Sequence, residues 1–407
     1  MQCGLLGEKL GHSFSPQIHS HLGDYSYVLF EKRQDELESF LKSGDFSGLN
    51  VTIPYKKTVL AYCDELTDRA AMLGAVNTLV RRTDGKLIGH NTDYFGFESQ
   101  LLKSGIQVSG KRVLVLGSGG ASVTAVAVLK QYGAEVVVVS RSGENNYSNL
   151  HRHADASVIV NATPVGMYPN VGQSPIDLAL FPYLEGVLDI VYNPSKTKLI
   201  LDAEARGLKT ENGLWMLVAQ AKESAEWFLN SPISHDRISQ IHDILRRQME
   251  NLVLVGMPGC GKSTIGAQLA QRLNKKFIDV DVEITHAAGM QIPEIFATGG
   301  EETFRRLETQ VLAKIGKESG LVIATGGGCV TRFDNYPLLH QNGHIIWIRR
   351  DLQTLATEGR PLSHKNRLEE MYEIRMPLYK RFADYSVIND GSVDQTIAQI
   401  LTMEGYE

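Results

Sequence analysis

The sequence predicts an α/β protein built from two parallel, doubly wound sheets in tandem. Three observations lead there. Short β-rich apolar runs alternate with helical stretches from about residue 112 onward, the pattern of strands joined by crossover helices. Two of these runs lead directly into glycine-rich loops of different design. At 407 residues the chain is also too long for one ordinary core, so two or three domains are expected.

The segment before residue 94 reads as loop-rich, with polar motifs at the ends of short apolar runs, and its length suits a separate substrate lobe. Strands are then expected at 112–116, 135–140, 158–161 and 187–190. The loop Gly117-Ser118-Gly119-Gly120-Ala121-Ser122 follows the first of them. Its glycines let backbone approach a pyrophosphate at a helix N-terminus, as in a Rossmann dinucleotide site. The next strand ends at Ser140-Arg141-Ser142, with no acidic residue before Glu144. NAD sites normally use a carboxylate for the ribose 2′-hydroxyl, whereas a 2′-phosphate needs a cation, so Arg141 favours NADP. Helices are expected at 214–228, where Trp215, Leu217, Val218, Ala221 and Ala225 can form a buried face, and at 239–250. The second runs almost directly into a strand, with no Gly/Ser-rich or Pro-rich linker.

A second series of strands is expected at 252–255, 276–279, 321–324, 344–348 and 385–388. After the first stands Gly256-Met257-Pro258-Gly259-Cys260-Gly261-Lys262-Ser263, a full Walker A pattern in strand–loop–helix context. Around Gly259 and Gly261 bare N–H groups face phosphate oxygens. Lys262 reaches the outer phosphates of ATP, Ser263 ligates Mg²⁺, and Thr264 is expected among the nucleotide-binding residues.

A formal net charge of −5 carries no electrostatic footprint for nucleic acid. Basic pairs such as Lys56-Lys57, Lys275-Lys276 and Arg349-Arg350 read as solvated surface unless a motif claims them. Four cysteines without metal-ligand or disulfide-framework spacing fit reduced thiols in a cytoplasmic enzyme. The N-terminus lacks signal-peptide features, and no apolar run reaches membrane-spanning length.

Several blocks carry a family pattern: Gly11-His12-Ser13-Phe14-Ser15-Pro16, Asn50-Val51-Thr52-Ile53-Pro54-Tyr55-Lys56, Gly74-Ala75-Val76-Asn77-Thr78, Gly89-His90-Asn91-Thr92-Asp93 and Asn161-Ala162-Thr163-Pro164-Val165-Gly166-Met167. Together with Gln220 they closely resemble shikimate dehydrogenase over roughly residues 1–247. The resemblance implies a substrate lobe at about 1–93 with closing helices at about 213–247, and an NADP-binding Rossmann lobe at about 94–212. Ser13 and Ser15 would hold the substrate carboxylate, with Thr52, Asn77, Asn91 and Gln220 around the ring hydroxyls. Lys56 and Asp93 would form the catalytic pair. Gly117, Gly119, Gly120, Ala121, Ser140, Arg141, Thr163 and Gly213 would hold NADP(H). Val123 stands where a basic residue often follows the loop, and Ser140 and Ser142 where asparagine and threonine commonly flank the arginine.

In the second half, Asp279-Val280-Asp281, Phe304-Arg305, Gly326-Gly327-Gly328, Arg360-Pro361-Leu362, Arg375 and Tyr379 add to the phosphate loop. This set resembles shikimate kinase, which implies a P-loop domain at 248–407 with a five-stranded parallel sheet. The resemblance implies that Asp279 supports Mg²⁺ beside Ser263 and that Asp281 is the base. Arg305 and Arg375 would clamp the substrate carboxylate, Gly327 and Gly328 would pack on the ring, and Arg360 would come from a lid. The expected whole is a bifunctional enzyme of aromatic amino-acid biosynthesis, reducing 3-dehydroshikimate with NADPH and phosphorylating shikimate with ATP. An NAD-using catabolic quinate/shikimate enzyme is disfavoured by Arg141. A gluconate-type or nucleotide kinase is disfavoured by the two-arginine clamp.

Overall fold

The computed structural model describes residues 1–11, 13–355 and 365–406. Arg360 and the middle of the expected lid lie outside the described residues. Sixteen strands in this part form three sheets. The chain divides into two compact units: Met1–Met167 with Gln173–Tyr192 and Leu199–Leu245, and Arg246–Glu407 with Tyr168–Gly172 and Asn193–Lys198.

The first unit holds two sheets. Strands β1 (Gln2–Gly7), β2 (Ser26–Glu31), β3 (Gly48–Val51), β4 (Glu65–Leu66), β5 (Thr78–Arg81) and β6 (Leu87–His90) order as β2-β1-β3-β5-β6-β4. The loop-rich expectation for this segment was therefore incomplete. Its strands are two to six residues long, and β3 carries a polar residue, Asn50, so apolar alternation is faint. The pairing β3–β5–β6 is antiparallel, with Asn50 opposite Thr78 and Thr78 opposite His90. That register brings the end of β3, the start of β5 and the end of β6 to one edge.

The second sheet is fully parallel: β7 (Arg112–Leu116), β8 (Glu135–Val139), β9 (Val158–Asn161), β10 (Gly186–Asp189) and β11 (Lys209–Glu211), in the order β11-β10-β9-β7-β8. β11 has no counterpart in the sequence expectation, because three residues with charged ends carry no strand signal. The helix Asp93–Ser104 packs on the closing helix Leu214–Leu229. Gly96 permits this, since a Cβ there would lie 2.8 Å from the Met216 carbonyl and 2.9 Å from the Gln220 Cβ.

The second unit is built on β12 (Asn251–Val255), β13 (Lys276–Asp279), β14 (Leu321–Ala324), β15 (Gly343–Arg349) and β16 (Tyr385–Ile388), all parallel, in the order β13-β14-β12-β15-β16. Strands buried on both faces explain the continuous apolar runs Leu252–Val255 and Ile345–Ile348.

At the amino end of this sheet, away from the phosphate loop, His344 lies between two carboxylates. Its Nε2 is 3.1 Å from Glu250 Oε1 and its Nδ1 is 3.0 Å from Glu404 Oε2. Tyr385 donates to Glu404, Arg246 pairs with Glu250, and Asp384 and Lys275 complete the surrounding charge. Burial pulls His344 down, but Glu404 and Glu250 outweigh it and hold its pKa above the ordinary value. Burial also raises the Glu250 carboxyl. Both groups bind protons more readily folded than unfolded, so stability falls as pH rises through their ranges. Lys275, brought down to about 8 by burial, acts in the opposite direction only above that pH. Thermal unfolding of this unit is therefore expected to come earlier at pH 8 than at pH 6. His344→Gln should flatten that slope by roughly 2–4 °C in Tm. Scanning calorimetry of both proteins checks this, and an unchanged slope would count against it.

Candidate functional site

Each unit carries one chemical site. In the first, the edge shared by β3, β5 and β6 presents a continuous hydrogen-bond network. Lys56, just past β3, lies with Nζ 2.6 Å from Asp93 Oδ2. Asp93 opens the helix Asp93–Ser104, so its carboxylate sits at the positive end of the helix. Its other oxygen accepts from Asn77 Nδ2 at 2.9 Å, and Asn77 Oδ1 accepts from the Thr92 N–H at 2.7 Å. The Lys56 and Asp93 side chains are 29% and 13% exposed, which leaves the pair reachable by a small molecule.

The other expected residues gather around this pair. Asn91 donates to the Ala75 carbonyl at 2.9 Å, and its buried Oδ1 accepts no hydrogen bond among the described residues. Gln220, on the closing helix, donates to the Leu217 carbonyl and faces Thr92 Oγ1 at 3.4 Å. Thr52 lies half-buried beyond β3, its N–H on the Leu6 carbonyl. Ser13 Oγ accepts from the Ser15 N–H at 3.2 Å. Tyr27 hydrogen-bonds Ser15 and donates to Asn50 Oδ1 at 2.7 Å.

Two participants had no separate signal in the sequence. Ser224 accepts from Asn50 Nδ2 at 2.7 Å and lies 3.0 Å from both Thr78 Oγ1 and Thr92 Oγ1. It joins the closing helix to the sheet edge. Tyr27 stacks on buried His19, with ring centroids 4.0 Å apart, and burial takes the His19 pKa down to about 3. Its ring is therefore neutral at neutral pH.

A cleft of about 690 Å³ opens at the carboxyl ends of the second sheet, lined in part by Gly117, Gly119, Ser140, Arg141, Tyr147 and Thr163. A Cβ at Gly119 or Gly120 would meet nothing, so backbone faces open space there. Gly117 has φ +105° and packs against the Ala162 carbonyl, a conformation and approach that favour glycine. Ser122, after Ala121, donates to the Gly117 carbonyl and ties the loop to its helix. Arg141 is exposed, and among the described residues no carboxylate lines the cleft. This donor set fits a dinucleotide with a 2′-phosphate. Gly213 lies outside the lining; a Cβ there would fall 1.9 Å from the Ile190 carbonyl at the start of the closing helix.

In the second unit one cavity of about 560 Å³ joins the phosphate loop to an acceptor floor. Gly256, Gly259 and Gly261 all have positive φ, at 149°, 85° and 99°. Lys262 is buried and curls back, donating to the Gly256 and Met257 carbonyls at 2.9 and 3.0 Å. Ser263 donates to Asp279 Oδ2 at 2.6 Å, and Asp279 Oδ1 caps the next helix through the Asp281 N–H. A hydroxyl and a carboxylate at this point are the hard oxygen donors that Mg²⁺ takes. Thr264 and Asp281 line the same cavity.

Arg305 and Arg375, each nearly buried, enter from separate helices. Arg305 pairs with fully buried Glu308 at 2.8 Å and with Glu301 at 3.2 Å. Burial raises the Glu308 carboxyl, against the pull of Arg305. Glu308 is thus the support that aims the arginine. Gly328 lies against the Arg305 guanidinium and Gly327 against Pro258, and Tyr379 donates to the Gly327 carbonyl. Asn389 was not singled out from sequence. It donates to the Cys260 carbonyl at 2.8 Å, bracing the phosphate loop from the end of β16.

Comparisons with known proteins place both halves of the chain in families. A family model for the shikimate dehydrogenase substrate binding domain matches residues 5–79, and one for shikimate kinase matches residues 258–404. A shikimate dehydrogenase (NADP(+)) of Caldicellulosiruptor saccharolyticus is 39% identical over 256 residues, covering 55% of this chain and 91% of the relative. The crystal structure of shikimate dehydrogenase 1 from Peptoclostridium difficile superposes with a TM-score of 0.55 at 37% identity, over 60% of this chain and 97% of that one. Shikimate 5-dehydrogenase of Thermus thermophilus, solved with NADP(H) and shikimate, gives 0.55 at 31% identity, over 60% and 98%. Over roughly its first three-fifths the chain belongs to the shikimate dehydrogenase family, and a shikimate kinase domain follows.

Proposed function

We infer that this chain is a bifunctional shikimate-pathway enzyme, reducing 3-dehydroshikimate to shikimate with NADPH and phosphorylating shikimate with ATP at the 3-hydroxyl. The Lys56–Asp93 pair in one unit, together with the joined phosphate-loop and two-arginine cavity in the other, carries the reading. We divide the chain near residues 247 and 248. The cytoplasm, which supplies both nucleotides, is the compartment that suits it.

In the first site Ser13 and Ser15 receive the substrate carboxylate, while Thr52, Asn77, Asn91 and Gln220 surround the ring hydroxyls. The unfilled Asn91 Oδ1 supports this, since a buried acceptor needs a donor. NADPH, when bound, supplies the hydride. Lys56 gives its proton to the oxygen that gains charge at the ring carbon, and Asp93 holds the ammonium in place. The Gly117–Ala121 loop takes the pyrophosphate, Ser140 and Arg141 the 2′-phosphate, and Thr163 and Gly213 shape the remaining path.

In the second site Gly259, Gly261, Lys262 and Thr264 hold the phosphate chain, and Ser263 with Asp279 holds Mg²⁺, which offsets phosphate charge. Arg305 and Arg375 clamp the substrate carboxylate, and Gly327 and Gly328 leave room for the ring. Asp281 accepts the proton of the attacking hydroxyl. Arg360, outside the described residues, is assigned to the lid. Positioning and charge do most of such catalysis. No nucleic acid or membrane enters this reading; among the described residues no helix is long and apolar enough to cross a membrane.

The test uses shikimate in two assays on the intact chain: reduction of NADP⁺ against NAD⁺, then transfer of phosphate from ATP. Turnover in both is expected, with NADP⁺ preferred. Arg141→Ala should raise KM for NADP⁺ about 10-fold while leaving that for NAD⁺ nearly unchanged, because only NADP⁺ carries the phosphate that pairs with the arginine. Absence of shikimate turnover in either assay would overturn the reading.

A further inference from the structure

The dipeptide Arg349-Arg350 reads from sequence as two surface charges, and the fold separates them. Arg349 ends β15 with its guanidinium over the Trp347 ring, 5.3 Å from the centroid, and is exposed. Arg350, one residue on, is half-buried and lines the kinase cavity with Lys262, Arg305 and Arg375. Its Nε is buried and makes no hydrogen bond among the described residues.

The position of Arg350 is set by the phosphate-loop side of the cavity. β15 pairs with β12, and the Ile348 carbonyl lies so close to Gly256 that a Cβ there would fall 2.5 Å away. Gly256 is the first residue of the phosphate loop. Backbone on either side of Arg350 is pinned: the Arg349 carbonyl accepts from the Asn389 N–H at 2.7 Å, and the Asp351 N–H donates to Asp390 Oδ1 at 2.9 Å. Asn389 is the same residue that braces the loop through the Cys260 carbonyl. Arg350 therefore projects from a pinned strand end into the cavity that the phosphate loop lines. The carboxylate clamp is built elsewhere, with Arg305 against Gly328 and Arg375 one turn from Tyr379, which holds the Gly327 carbonyl.

Charge supports the same division. Among the described residues four cations and two carboxylates line the cavity, Asp279 and Asp281 being the acidic pair. The clamp employs two of the cations and Lys262 is the loop lysine, which leaves one arginine without a role. We propose that Arg350 is a fixed phosphate-binding residue of the kinase site, contacting the outer phosphates of the nucleotide from the scaffold. This rests on the kinase reading above.

Steady-state kinetics of the intact chain test it. Arg350→Gln should lower kcat/KM for ATP about 10- to 100-fold, with KM for shikimate nearly unchanged. Arg350→Lys should retain most of the activity, and added methylguanidinium should restore part of it to the glutamine variant. Dehydrogenase turnover of the same samples should be unaltered, and wild-type phosphoryl transfer verifies the kinase reading separately. A rise in KM for shikimate alone would overturn the proposal in favour of a third carboxylate ligand. Unchanged kinetics, or a loss that neither lysine nor methylguanidinium relieves, would overturn it as well.

Discussion

Lys56→Ala is expected to lower shikimate oxidation by about 10³- to 10⁴-fold in kcat, the scale of a lost positioned proton donor. The size follows from how little can replace it. Lys56 Nζ stands 2.6 Å from Asp93 Oδ2, and Asn77 fixes the other carboxylate oxygen. Among the described residues no second ammonium joins that network: Lys57, the next residue, makes no bond in it and lies exposed. KM for shikimate should change far less, because the carboxylate and ring hydroxyls are assigned in the proposed site to other groups. Absorbance of NADPH at saturating shikimate measures the loss. A variant that keeps a tenth or more of wild-type kcat would remove Lys56 from the chemistry. Kinase turnover of the same sample should be unaffected and serves as the internal control.

Lys262→Ala is expected to do the converse, reducing phosphoryl transfer by about 10³-fold and leaving dehydrogenase activity intact. Two losses combine. The ammonium assigned above to the outer phosphates disappears, and so do the bonds by which it closes the loop on the Gly256 and Met257 carbonyls. Three glycines with positive φ then lose one of their restraints. A coupled assay for ADP with shikimate as acceptor reads the effect. Retention of full phosphoryl transfer would mean that the loop acts without its lysine. The two variants form a reciprocal pair, each half reporting on the other.

Much of the site was legible because its parts are contiguous in the chain. The loop at Gly256–Ser263 binds phosphate with its own backbone, so eight residues and their strand–helix context suffice. The same is true of the Gly117 loop. Strands buried on both faces announced themselves as apolar runs, and all five strands of the kinase sheet were expected within a residue or two of their observed ends. The substrate lobe was less legible. Its sheet is made of short strands with a polar residue inside, and order there comes from pairing partners that no local pattern reveals.

Other residues were beyond reach for a physical reason. Ser224 bonds Asn50 across 174 positions, and Asn389 reaches the Cys260 carbonyl across 129. A serine on a helix or an asparagine after a strand has many ordinary uses, and only packing selects one. Glu308 could be noticed beside Arg305, but its complete burial, which makes it the arginine's counter-charge, is a property of the folded core.

Sequence alone determined the reactions' outline: a dinucleotide loop without lysine, a mononucleotide loop with one, and family motifs around both. Those signals survive because they depend on backbone and side chains within a few residues of each other. Tertiary structure decided which side chains share a cavity. Two adjacent arginines, equal on paper, are parted at the end of β15, one over Trp347 at the surface and one beside the phosphate loop. The reason is that Arg349 still belongs to β15 and lies over Trp347, two residues back on the same face. Arg350 is past the strand end, where packing beside the phosphate loop and not a local pattern sets its place.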